Sequence, residues 1–143
     1  MARVAIGLDI GTQRVGVARG DDDVRIAAPL TTLTNAANIF KRIQDLIQEN
    51  HADIVVIGLP RNADGQETRQ SVVSRAFATQ LAAFTDAKIV FQDESLTSVQ
   101  AEKNLRGRRG FNEDMLRDGT LDSEAAALIL TDYLENGVKN AVA

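Results

Sequence analysis

The chain has no cysteine. Disulfides, thiolate zinc sites and a cysteine nucleophile are excluded together, and the composition suits a reducing compartment. Histidine is nearly as scarce, with His51 the single example. No histidine cluster can ligate zinc, and a Ser-His-Asp arrangement would hang on one residue of the polar segment Gln48-Glu49-Asn50-His51-Ala52, which reads as a helix end. His51 is expected there as a C-terminal helix residue, favoured by the helix dipole. No apolar stretch approaches the length of a membrane span or signal h-region, and Met1-Ala2-Arg3 runs straight into strand-like sequence at Val4. A cytoplasmic protein without membrane association is expected. Net positive charge is also missing: at −4, the chain cannot coat nucleic acid by bulk electrostatics, so phosphate contact needs a local Lys/Arg cluster.

The 143 residues suffice for one core and not two, and 44% apolar with 25% charged residues is a globular balance. A single domain over 1–143 is expected, with no internal repeat or linker. Val4-Ala5-Ile6-Gly7-Leu8-Asp9-Ile10 reads as a strand, the Gly11-Thr12 turn follows, and Thr12–Ala18 returns as a second strand of a hairpin. Val24–Leu30 reads as a third strand after the turn cluster Gly20–Asp23. Ile39, Phe40, Ile43, Leu46 and Ile47 fall on one face of a helix, with Thr34 or Asn35 placed to cap it.

Asp53–Pro60 is a continuous β-branched run of the kind buried on both faces. Val73, Phe77, Leu81 and Phe84 mark a second helix after the polar loop Arg61–Gly65, and Lys88–Asp93 is a further strand, so these two strands should lie parallel across a crossover. Thr97-Ser98-Val99-Gln100 fits a capping box opening a short helix to Glu102 or Lys103. Residues 104–119 lose periodicity and mix glycine with Arg106, Arg108 and Arg109, the pattern of a flexible basic loop. A last helix runs from about Leu121 to Asn136-Gly137. The result is an α/β fold: an antiparallel three-strand meander plus two parallel strands in a mixed five-stranded sheet, flanked by helices.

Asp9 interrupts an apolar strand, where a carboxylate costs several kcal/mol unless paired, hydrogen-bonded or metal-bound. It has two readings, a cap of its own turn or a ligand-binding group. Ligands in open α/β sheets bind at the carboxyl ends of parallel strands, and Asp9, Asp93-Glu94 and Asp122 fall where such a site would form. Taken singly, Asp122 suits a first-turn dipole partner and Asp93-Glu94 a solvated loop pair. Taken together, Asp9, Glu94 and Asp122 would repel until a cation joined them, and oxygen ligands without Cys or His favour Mg2+ or Mn2+. Such sites commonly hold two ions about 3.5–4 Å apart in phosphodiester hydrolysis.

Gly7-Leu8-Asp9-Ile10-Gly11-Thr12-Gln13-Arg14-Val15-Gly16-Val17-Ala18, Gly58-Leu59-Pro60 with Asp64-Gly65, Asp93-Glu94-Ser95-Leu96-Thr97-Ser98 and Leu121-Asp122-Ser123 together resemble the YqgF family, also called RuvX. The resemblance covers nearly the whole chain. Members are bacterial RNase H-like proteins related to RuvC resolvases, regarded as nucleases of the 5′ end of pre-16S ribosomal RNA, with Holliday junction resolution attributed to some. The resemblance implies an RNase H-like fold, catalytic and metal-binding Asp9, Glu94 and Asp122, and substrate roles for Arg14 and Thr97. Ser95 and Thr120 replace basic residues usual in the family, and Ser98 replaces its second Thr. Arg106, Arg108 and Arg109 are candidates to supply the phosphate contacts instead, the planar guanidinium being suited to them, and a solvated surface loop is the other reading.

The expected function is a metal-dependent endonuclease on structured RNA within ribosome-assembly intermediates. The alternatives are a resolvase of branched DNA, a non-catalytic ribosome-assembly factor, and a phosphate-binding ATPase-like domain, for which the chain has room for only one lobe. Monomer and homodimer both remain open; a resolvase cutting two strands symmetrically would be expected as a dimer.

Overall fold

Alternation along the first strands decides the layers. In the computed structural model, which describes residues 3–62, 64, 66–94, 97–136 and 141–142, strand β1 (Val4–Ile10) sends Ile6, Leu8 and Ile10 to one side and Ala5, Gly7 and Asp9 to the other. Its hairpin partner β2 (Arg14–Asp21) does the same with Val15 and Val17 against Gly16, Ala18 and Gly20. The branched side packs on helices α1 (Ile39–Glu49) and α2 (Arg69–Leu81) through Ile39, Ile43, Ile47, Phe77 and Leu81. The small-residue side receives helix α4 (Thr120–Asn136), whose Ala126, Ile129, Leu130 and Tyr133 form the second core.

Strand β4 (Ile54–Pro60) is buried along nearly its whole length and lies parallel to both β1 and β5 (Lys88–Glu94). The sheet order is β3-β2-β1-β4-β5-β6, so the five expected strands are present. The sixth, β6 (Ala141–Val142), pairs antiparallel with Phe91 and Gln92 and covers what would otherwise be an open edge of β5.

Several boundaries differ from the sequence reading. Strand β3 is Ala28–Thr34 rather than Val24–Leu30: Val24 and Ile26 are about two-thirds exposed in the preceding turn, and Pro29 is tolerated because β3 is an edge strand. Neither Thr34 nor Asn35 caps α1. Thr34 ends β3, Asn38 occupies the cap position without a side-chain bond, and the Asn35 amide donates to the Gly11 carbonyl at 2.8 Å, bracing the β1–β2 turn. His51 stands beyond α1 in the left-handed region at φ 52°, not within the helix. Val73 is 44% exposed and Phe84 lies past the end of α2, stacking on Phe40 from outside the main core.

The basic stretch is more ordered in secondary structure than its composition suggested. Helix α3 runs Thr97–Arg106, fixed at its end by fully buried Leu105 one turn after buried Ala101, and a 3-10 turn spans Glu113–Leu116. The Thr97 side chain, with its expected capping and substrate roles, lies outside the described residues, as do Gly65, Ser95, Leu96, Gly137 and the Ser98 side chain. No helix among the described residues is long and apolar enough to cross a membrane.

Candidate active site

Strand parity selects the acidic residues. On β5, Val90 and Gln92 face α4, so Glu94 does too, while Asp93 points to the other side and accepts hydrogen bonds from Arg61 Nε and Nη2 at 3.0 and 2.9 Å. Asp9 faces α4 from the central strand, and Asp122 is in the first turn of that helix. All three positions therefore open toward one end of the sheet, at the carboxyl ends of the parallel strands.

Two glycines make the approach possible. Gly16 is paired with Asp9 across the hairpin, and a Cβ there would overlap the backbone carbonyl of Asp122. The missing side chain is what lets α4 deliver Asp122 beside Asp9. Gly58 lies on β4, between the strands that carry Asp9 and Glu94. A Cβ at Gly58 would meet the Ile129 side chain at 2.6 Å and the Glu94 Cγ at 3.4 Å. Because β4 intervenes, the backbones of β1 and β5 are roughly 10 Å apart, two spacings of about 4.8 Å, and the bare Gly58 keeps the gap between the acids open.

Electrostatically, Glu94 and Asp122 both act on Asp9. The Asp9 carboxyl is pushed up to about 7, first by burial and then by the negative charges of Glu94 and Asp122. The turn-capping reading of Asp9 is not what the turn uses: the Gly11 N–H donates to the Arg14 carbonyl at 2.9 Å. Arg14 Nε stands 2.9 Å from Asp122 Oδ2, yet that solvent-shielded oxygen receives no aligned hydrogen bond. Arg14 Nη1 donates to the Arg117 carbonyl at 2.7 Å. Thr120, where the family's basic residue would stand, donates through its hydroxyl and its N–H to Asp118 Oδ1 at 2.6 and 3.0 Å, and these bonds hold the Asp118 carboxyl below its ordinary value.

The donor set suits a hard divalent cation. It consists of carboxylate oxygens alone, one of them a buried oxygen of Asp122 that accepts no hydrogen bond, around an aspartate faced by two other carboxylates. It is not a finished cage, since no group of three or more His, Cys, Asp or Glu among the described residues is drawn together closely enough to hold an ion.

The basic candidates divide. Arg106 pairs with Glu102 at 3.1 Å and Glu113 at 3.4 Å and lies over the Phe111 ring. Arg108 Nη2 donates to Glu124 Oε1 at 2.6 Å, the Glu124 side chain being only 8% exposed and its Oε2 unpartnered. Arg109 is exposed and forms no ion pair among the described residues. Sequence reasoning missed Gly16, the spacing role of Gly58, and Glu124. Gly16, between Val15 and Val17, and Gly58 each left a trace, a glycine breaking a β-branched run; Glu124 left none, because its partner lies in a different part of the chain.

A mixed sheet of this order, with a helix laid across the face that carries the acidic positions, is an RNase H-like fold. RuvC of Thermus thermophilus, solved in complex with a Holliday junction substrate, superposes at a TM-score of 0.60 over 98% of this chain and 99% of that one, with 16% identity. Fowlpox virus resolvase, solved with Holliday junction DNA, gives 0.56 over 95% and 99%, with 14% identity. At such identities the likeness concerns the fold.

The sequence profile of RuvX, described as Holliday junction resolvase, matches residues 3–136, and the chain belongs to that family. A Shewanella oneidensis relative named "putative pre-16S rRNA nuclease" is 38% identical over 94% of this chain and 96% of its own length. One of the same name from Chloroflexus aurantiacus is 39% identical over 93% and 87%.

Proposed function

We propose that this chain is a cytoplasmic, divalent-cation-dependent endonuclease that cleaves structured RNA, with the 5′ end of pre-16S rRNA as its substrate. The observation that carries the reading is Asp9, a carboxyl on the first strand paired with Gly16, against which the Asp122 backbone packs, and pushed up to about 7 by burial, Glu94 and Asp122. Asp9, Glu94 and Asp122 would hold Mg2+ or Mn2+. Such a cation, when bound, lowers the pKa of water and offsets charge at a phosphoryl group. The protein's own part is to gather the acids on a rigid strand–helix frame, keep the space beside Gly58 free, and let the Asp9 carboxyl give up its proton as positive charge arrives. No residue at the site is needed as a covalent nucleophile. The relatives' name supports the RNA substrate.

The test is cleavage of a precursor rRNA fragment in Mg2+ or Mn2+ by wild type and Asp9→Asn. Loss of cleavage in the variant supports the assignment, and equal cleavage defeats it.

The fold shared with two junction-bound resolvases favours a second reading, resolution of four-way DNA. Competition between a four-way DNA junction and a structured RNA, at one fixed salt concentration, separates the two.

A further inference from the structure

The resemblance implies that Arg14 touches substrate, but in the structure its guanidinium is placed against one of the acids themselves. We propose that Arg14 is the resident counter-ion of Asp122, occupying that carboxylate in the cation-free protein and giving it up when a divalent cation binds. The inference rests on the metal-binding reading above and adds to it an exchange within the chain.

Two observations carry it. Arg14 Nε reaches Asp122 Oδ2 at 2.9 Å without an aligned hydrogen bond, so the pair is held by charge and lacks the bidentate geometry that makes Arg–carboxylate contacts persistent. Arg14 keeps a second, neutral anchor in the Arg117 carbonyl at 2.7 Å, and its side chain is 40% exposed, so the guanidinium has both a pivot and a route outward.

The exchange also gives an account of why the acids are not already a cage. With Asp122 paired to Arg14, the third ligand is turned to an internal cation, and the set closes only when a stronger one competes for it. A guanidinium released beside the bound cation would then be free to meet a phosphate oxygen.

The experiment is Mn2+ titration of the full chain without nucleic acid, reading free Mn2+ by electron paramagnetic resonance. Arg14→Gln should bind Mn2+ about tenfold more tightly than wild type, because a competing positive charge a few ångströms away is gone, and Arg14→Lys should stay near wild type. Unchanged or weaker binding by Arg14→Gln, with binding lost in Asp9→Asn, would overturn the exchange and make Arg14 a strut that orients Asp122. Wild-type binding by Asp9→Asn would sink the metal reading and the exchange with it. A second measurement needs no Arg14 variant. The Arg14 Nε–H NMR resonance should move, on saturation with Mg2+, toward its position in Asp122→Asn, and a resonance unmoved by Mg2+ that saturates the site overturns the proposal.

Discussion

Gly16 rests its bare α-carbon against the backbone carbonyl of Asp122, 106 positions further along the chain, on the side of β2 that faces α4. The contact fixes how deeply the first turn of α4 sits over β1 and β2, and hence where Asp122 stands relative to Asp9. Gly16→Ala puts a methyl into an occupied position, and the neighbour is backbone, which cannot rotate away. Overpacking of this kind costs about 3 kcal/mol, the upper end of its usual range. Urea unfolding should show that loss, and Mn2+ affinity should fall as Asp122 is displaced. A variant within about 0.5 kcal/mol of wild type would mean that α4 is free to shift.

The raised carboxyl of Asp9 makes folding stability depend on pH. Below the ordinary aspartate value both folded and unfolded chains carry the proton. As pH rises, the unfolded chain ionises first while folded Asp9 keeps its proton until about 7. Over that window the unfolded state binds fewer protons, so the contribution of Asp9 to stability falls with rising pH and levels off above 7. Asp9→Asn should remove the fall, leaving the variant more stable than wild type at pH 8 by about 2 kcal/mol after allowing for solvent screening. Denaturant midpoints of the two proteins at pH 4 and pH 8 measure it. Parallel pH profiles would show that Asp9 is ionised in the free protein. Millimolar Mg2+ should restore the wild-type stability at pH 8 and leave the variant unchanged.

Gly58 offers a test that leaves every acid in place. In Gly58→Val the new side chain points into the gap between Asp9 and Glu94, where even a Cβ would meet Ile129 at 2.6 Å. Destabilisation by about 1–3 kcal/mol should accompany a loss of Mn2+ binding. Gly58→Ala, the smaller intrusion, should give intermediate values of both. Wild-type Mn2+ affinity in a folded Gly58→Val protein would show that the gap is not where the ion sits.

Asp9 was legible in the sequence because a charge inside an apolar strand is anomalous, whereas Asp93 and Glu94 are separated by the two-residue period only once Gln92 is seen facing Asp132 on α4. The sheet was legible for a similar reason: β-branched runs such as Ile54–Pro60 have few alternatives. What stayed hidden was set by distant partners. The requirement for glycine at position 16 comes from Asp122, and Glu124 reads as an ordinary helix-surface residue until Arg108 is seen to pair with it. The third strand was misplaced because Val24 and Ile26 carry β-propensity in a turn, where nothing packs on them. The end of α3 was missed because one leucine, Leu105, anchors a turn otherwise made of polar residues.

Glu124 predicts an asymmetric double-mutant cycle. Its carboxylate is almost completely enclosed and its partner Arg108 is half exposed. Arg108→Ala leaves an enclosed, unpaired charge at Glu124 and should cost about 2 kcal/mol, less than a fully buried pair because water reaches the arginine side. Glu124→Gln should cost less. Adding it to Arg108→Ala should recover most of the loss, since no buried charge then remains. Additive losses measured by thermal and urea unfolding would mean that the pair is not coupled.

Arg109 and Arg106 should differ in their contribution to nucleic-acid binding despite lying three residues apart. Arg106 is already neutralised by Glu102 and Glu113 and its guanidinium lies over Phe111, so bringing it to a phosphate means breaking existing contacts. Arg109 is exposed with no ion pair among the described residues, and a phosphate contact there breaks none. Each phosphate neutralised adds close to one unit to the slope of log affinity against log salt. Arg109→Ala should therefore reduce that slope for a structured RNA by about one, and Arg106→Ala should leave it nearly unchanged. Filter binding across a KCl series, in Ca2+ to hold cleavage back, reads both slopes. Equal slopes for wild type and Arg109→Ala would remove this segment from the nucleic-acid interface, and a larger effect at Arg106 would mean that its acidic partners release it on binding.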